Sequence, residues 1–198
     1  MTNQSNEFSL ILASQSPRRA KLLESAGFQF IIDAPDDSVE RGICSKCSPE
    51  DLVLQSAFLK ARAIASKYDG GVIIAADTVA ECQGEILGKP VDREHAEKML
   101  TLMSGKKHRV FTGVCLWKKP GDFHRLHLEQ SVLAMDVLKH QQLKEILDSD
   151  NWVGKAGAFG YQDGLDWLCL ESGLESNVVG LPIERLNEWI GELLEMNY

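Results

Sequence analysis

The sequence predicts an α/β protein with a central mixed β-sheet flanked by helices, and three observations predict it. Short apolar runs alternate with helical patterns from Phe8 to Tyr68, the order that gives parallel strands joined by crossover helices. Two long alternating segments, Val110–Trp117 and Leu126–Val137, flank the turn Lys118-Lys119-Pro120-Gly121-Asp122 and make an antiparallel pair, so the sheet is mixed. No repeat and no Pro/Gly/Ser-rich linker divides the 198 residues, so the chain reads as one domain behind a frayed tail at 1–7.

Each element has its own signal. Phe8–Ala13 is a buried strand, and Pro17–Ala26 is a helix that opens with proline in its first turn and closes before Gly27. Phe28–Asp33 is a second strand. After an irregular stretch, Ala34–Cys47, the run Ser48-Pro49-Glu50-Asp51 supplies a cap, an N1 proline and first-turn acids for a helix to about Tyr68. Gly71–Ala76 is a buried strand that delivers Asp77 at its C-terminal end, and Val79–Cys82 pairs with Glu85–Leu87 across Gln83-Gly84. Asp92 caps a helix to about Met103, with Ala96, Met99, Leu100 and Met103 at helical spacing. Gln141–Asp148 is a short helix, Asp166–Leu170 a strand, and Pro182–Met196 the last helix.

The 21 Lys+Arg stand against 29 Asp+Glu, a net charge of −8. That balance opposes broad binding to nucleic acid or anionic membranes, which needs a basic face. The longest apolar run, around Gly71–Ala76, is far below the ~20 residues of a membrane span. The first residues lack both the basic start and the apolar length of a secretory leader. Five cysteines with a single close pair make no disulfide framework. The expectation is a cytoplasmic protein without nucleic-acid or membrane partners.

Candidate chemistry gathers at a few places. Ser14-Gln15-Ser16-Pro17-Arg18-Arg19 sits where a strand gives way to a helix, and a helix N-terminus with arginines suits phosphate. The same residues also suit a serine-capped helix with solvated arginines. Ala75-Ala76-Asp77-Thr78 ends a strand with a carboxylate that can bind a metal, serve as a base, or only cap a turn. Lys89 stands in the turn Leu87-Gly88-Lys89-Pro90. Lys106 and His108, in SGKKHRV, suit the C-terminus of a helix better than catalysis. The glycine-rich run from Gly154 to Gln162 is not a Walker loop and better shapes a nucleoside pocket, with Gln162 offering a donor and an acceptor to a base edge. Cys44-Ser45-Lys46-Cys47 lacks the second pair of a zinc site and does not open a helix as a redox CxxC does.

In order along the chain, ILASQSPRRAKLL, AADTVA with GEILGKP, MSGKKHRVFTGV, GKAGAFGYQ and NVVGLP resemble the blocks of the Maf family of nucleotide pyrophosphatases, from about Leu10 to Pro182. The resemblance implies two lobes around a cleft, a fold similar to inosine-triphosphatases, and hydrolysis of a nucleoside triphosphate to the monophosphate and pyrophosphate with a divalent cation, Mg²⁺, Mn²⁺ or Co²⁺. It implies Asp77 as catalytic carboxylate and metal ligand, with Glu40 as a second acidic residue at the metal. Arg18, Thr78 and Gln162 match specificity positions, while Ser14, Arg19, Lys60 and Lys89 fall at substrate-binding positions. The glutamine at 162 resembles the branch acting on dTTP and UTP. Its alternatives are a 7-methyl-GTP branch, or a non-catalytic nucleotide-binding regulator of cell division. The family resemblance also implies a homodimer.

Overall fold

The computed structural model describes residues 9–40 and 47–195. β1 (Leu10–Leu12) lies between β2 (Phe30–Ile32) and β3 (Gly71–Cys82), parallel to both. β4 (Glu85–Leu87) folds back on the far end of β3 across Gln83 and Gly84, both with positive φ, the conformation that a tight hairpin turn demands. β5 (Lys107–Lys119), β6 (Phe123–Met135) and β7 (Leu168–Ser172) continue the sheet antiparallel, in the order β2-β1-β3-β5-β6-β7. The expected mixed sheet is what forms.

The chain leaves β1 through α1 (Pro17–Ser25) to reach β2 on one side, then returns through α2 (Pro49–Ala65) to β3 on the other. Parallel crossovers are right-handed, so reversing direction puts the two helices on opposite faces. Strand alternation follows suit. Leu10, Leu12, Val72 and Ile74 pack with α1 and with α6 (Ile183–Glu195), while Ile11, Ile73 and Ala75 pack with Ala57, Ala61 and Ile64 of α2. A further core lies toward the other end of the long strands. There β4, α3 (Arg93–Met103) and α4 (His140–Asp148) enclose Met99, Leu100, Met103, Trp152 and Phe159.

The caps act as the sequence implies. Ser48 accepts from Asp51 N–H and Asp92 from His95 N–H. Several expectations need correction. The helix from Pro49 stops at Ala65, short of Tyr68, and the last strand runs from Leu168 to Ser172. A five-residue helix, α5 (Glu175–Val179), precedes α6. Asp77 does not end a strand. β3 runs through Asp77 and Thr78 to Cys82 because β5 pairs with it throughout, Asp77 opposite Gly113 and Thr78 opposite Thr112. What ends is β1, whose last pair is Leu12 with Ile74. Asp77 therefore stands where β1 has left the sheet, beside the point where the crossovers reverse, and such switch points hold ligands in α/β sheets.

Candidate active site

A cleft of about 430 Å³ opens at this switch point. One wall is the β1–α1 junction, Ser14 to Arg19; the floor is Asp77 and Thr78; the opposite wall is the segment from Val153 to Asp163, and Lys60 and Lys89 line the cleft as well. Eight residues singled out in the sequence, Ser14, Arg18, Arg19, Lys60, Asp77, Thr78, Lys89 and Gln162, all line it. Glu40 ends a short 3-10 turn, Asp37–Glu40, and its side chain lies outside the described residues. Cys44 is also outside them, while Cys47 Sγ accepts from Gln55 Nε2 at 3.9 Å.

The basic residues do different work. Lys60, from the middle of α2, reaches Asp77 Oδ1 at 2.7 Å, with side chains 14% and 22% exposed. This half-buried pair holds the carboxylate in place and leaves a cation beside it. Arg19 braces the floor: Nε donates to Gly180 O at 2.7 Å, Nη1 to Ser14 Oγ at 3.2 Å, and Nη2 to Thr78 Oγ1 at 3.0 Å. Arg18 crosses the cleft instead, donating to Gly154 O at 2.9 Å. Burial lowers its pKa from the ordinary guanidinium value, against the opposing pull of Asp163. Ser16, at the N-cap of α1, makes no side-chain cap bond, and its own N–H goes to Ser14 Oγ. The first turn of α1 thus lines the cleft without a side-chain cap, a setting that favours anions.

The glycine segment is positioned by backbone contacts. Gly157 N–H donates to Gly88 O at 3.0 Å, which docks the segment beside Lys89. At Gly157 φ is +69°, and a Cβ would come within 2.9 Å of the Phe159 ring and 3.1 Å of Ala80 Cβ, so only glycine lets the segment lie this close to β3.

Sequence reasoning missed four polar residues here. Lys155 and Asp163 form an ion pair in the cleft wall. Thr112 and Asn177 are buried behind the floor. The available signals were a lysine inside a glycine-rich run and a threonine inside the apolar stretch Val110–Val114. His108 and Lys106 are not catalytic groups in this geometry: Lys106 Nζ donates to Leu102 O at the end of α3, and His108 is buried in the core.

The family profile described as Maf-like protein matches residues 9–193. The chain belongs to the Maf family. A Maf relative from Rhodopirellula baltica, named dTTP/UTP pyrophosphatase, is 52% identical over 193 residues, covering 97% of this chain and 85% of its own. Another of the same name, from Symbiobacterium thermophilum, is 40% identical over 177 residues, 89% of each chain. A solved structure from Mycobacterium abscessus, titled nucleoside-triphosphatase / dITP/XTP pyrophosphatase, covers 95% of this Maf chain at 14% identity with a TM-score of 0.44. Among the described residues no helix is long and apolar enough to cross a membrane.

Proposed function

We propose that this Maf protein is a hydrolase that cleaves dTTP and UTP between the α- and β-phosphates, releasing the monophosphate and pyrophosphate. The observation that carries the reading is that Arg18, Arg19, Lys60 and Lys89 line a single cleft together with one carboxylate, Asp77, which Lys60 contacts, in a chain whose net charge is −8. In an acidic protein, basic groups gathered in one cleft with a largely buried Asp await a polyanion. The relatives named dTTP/UTP pyrophosphatase support the same activity.

With a triphosphate bound, Arg18, Lys89 and the amides of α1 neutralise its oxygens, and Arg19 with Ser14 holds the floor on which it lies. Asp77, fixed through Oδ1 by Lys60, takes a proton from the attacking water at Oδ2. Positioning and charge neutralisation carry most of the catalysis, because a neutralised pyrophosphate leaves readily. Gln162 offers an acceptor and two donors, which match the N3–H and a carbonyl of uracil or thymine.

No three His, Cys, Asp or Glu side chains cluster to hold a metal among the described residues. One carboxylate beside a substrate's own phosphates nevertheless fits Mg²⁺-type cations, which keep few protein ligands. Asp77 is the residue that would hold Mg²⁺, Mn²⁺ or Co²⁺ together with the triphosphate, and the bound cation would further neutralise the leaving group. The proposal extends to a cytoplasmic homodimer on the family resemblance, which sedimentation and fractionation test.

The deciding experiment is a panel of ordinary and modified nucleoside triphosphates, with and without each cation, reading pyrophosphate. Cation-dependent release from dTTP and UTP is expected. No release from either, or a preference for 7-methyl-GTP, would overturn the reading.

A further inference from the structure

The groups behind the cleft floor determine where one hydroxyl proton must point. Thr112 is fully buried. Its Oγ1 lies 3.1 Å from the main-chain oxygen of Asn177 and 3.0 Å from Thr78 Oγ1. A carbonyl oxygen only accepts and a hydroxyl carries one proton, so Thr112 donates to Asn177 O and accepts from Thr78. The opposite arrangement would set two lone pairs against each other where water does not reach, an expensive defect.

The carbonyl cannot swing away. Asn177 is buried, its Nδ2 donates to Val110 O at 3.3 Å and to Ser131 Oγ at 2.9 Å, and its O also accepts from Gly180 N at 3.0 Å. Thr78 has therefore committed its proton to Thr112. Of its two lone pairs, one receives Arg19 Nη2–H at 3.0 Å. The remaining lone pair belongs to a residue that lines the cleft.

We propose that Thr112 is a positioning residue which makes Thr78 Oγ1 an obligate acceptor toward the nucleotide. Thr78 then takes an N–H or O–H of the nucleoside and repels a phosphate oxygen, which places the nucleoside rather than the polyphosphate over it. The inference rests on reading the cleft as a nucleoside triphosphate site. The donor is either the imide N3–H of uracil or thymine, which cytosine replaces by a lone pair, or a sugar hydroxyl.

The test compares kcat/KM for UTP, CTP, dUTP and dideoxy-UTP in wild type, Thr112→Val and Thr112→Ser. Valine keeps the shape but frees the Thr78 proton to turn toward the ligand. The preference of UTP over CTP should fall roughly tenfold if the donor is the imide, or the preference over the deoxy substrates if it is a sugar hydroxyl. Either result supports the proposal, and serine should restore wild-type ratios. An equal loss on all four substrates, unmoved ratios, or no rescue by serine overturns it. Should Thr112→Val fold poorly, Thr78→Val is read the same way, with Thr78→Ser as its rescue. A wild-type protein inactive on UTP sinks the functional reading as well, whereas wild-type turnover with unmoved ratios sinks only this inference.

Discussion

In the proposed reading Asp77 and Gln162 carry the two halves of the activity, and each can be tested by changing a few atoms. Asp77→Asn keeps size and can still accept from Lys60, but removes the charge proposed to accept a proton from water. Turnover should fall at least ~10²-fold, the lower range for a general base, while the melting temperature changes little. Wild-type kcat in that variant would remove Asp77 from the chemistry. Gln162→Glu replaces two donors by acceptors and should lower kcat/KM on dTTP and UTP roughly 5- to 150-fold, with 7-methyl-GTP affected less. An equal loss on purines and pyrimidines would reduce Gln162 to a brace of the glycine segment. Residues that announce themselves by charge at a strand–helix junction, such as Arg18 and Arg19, were legible in the sequence. Thr112 was not, because its meaning depends on Asn177 arriving from 65 residues away.

At the level of the element, proline and cap signals placed the first three helices, since those signals are local. β3 was read as ending at Asp77 because two polar residues interrupt an apolar run, and only its partner β5 shows that pairing continues. α5 went unread because Leu174, at its N-cap, makes no side-chain cap bond and the helix has five residues. Gly113 shows how an element positions the site. A Cβ there would stand 2.5 Å from the carbonyl carbon and oxygen of Val53 and 2.7 Å from Leu54 N, all main chain of α2. Gly113→Ala must therefore displace α2, costing about 1–3 kcal/mol, or several degrees in melting temperature for a chain this long. Lys60 rides on the same helix, so kcat/KM should fall too. Unchanged melting and unchanged kinetics would mean that α2 is not seated on β5 as described.

For the molecule as a whole, pH should act on stability through the core that backs the glycine segment. His108 is 2% exposed, neither ring nitrogen makes a hydrogen bond of good geometry, and the ring packs edge-on to Phe159 at 5.3 Å. Burial lowers its pKa from 6.5 to about 4. As pH falls below 6.5 the unfolded chain takes up this proton and the folded chain does not, so the unfolded state gains. Stability is full above that point and is lost down to about pH 4, by at most ~1.4 kcal/mol per pH unit and about 3 kcal/mol in all. Glu81 acts in the same direction. Burial raises its pKa, but hydrogen bonds from Arg109 and Gly84 N–H outweigh that and hold it low, so its contribution is also lost in acid. Because Phe159 also lines the cleft, charging His108 would disturb the cleft wall. Urea unfolding at pH 7, 6, 5 and 4.5 should show a steep decline in wild type and a shallower one in His108→Phe, the difference reaching about 2–3 kcal/mol at pH 4.5. Glu81 remains in that variant and keeps part of the slope. Parallel declines in the two proteins would mean that His108 gains its proton without unfolding the chain.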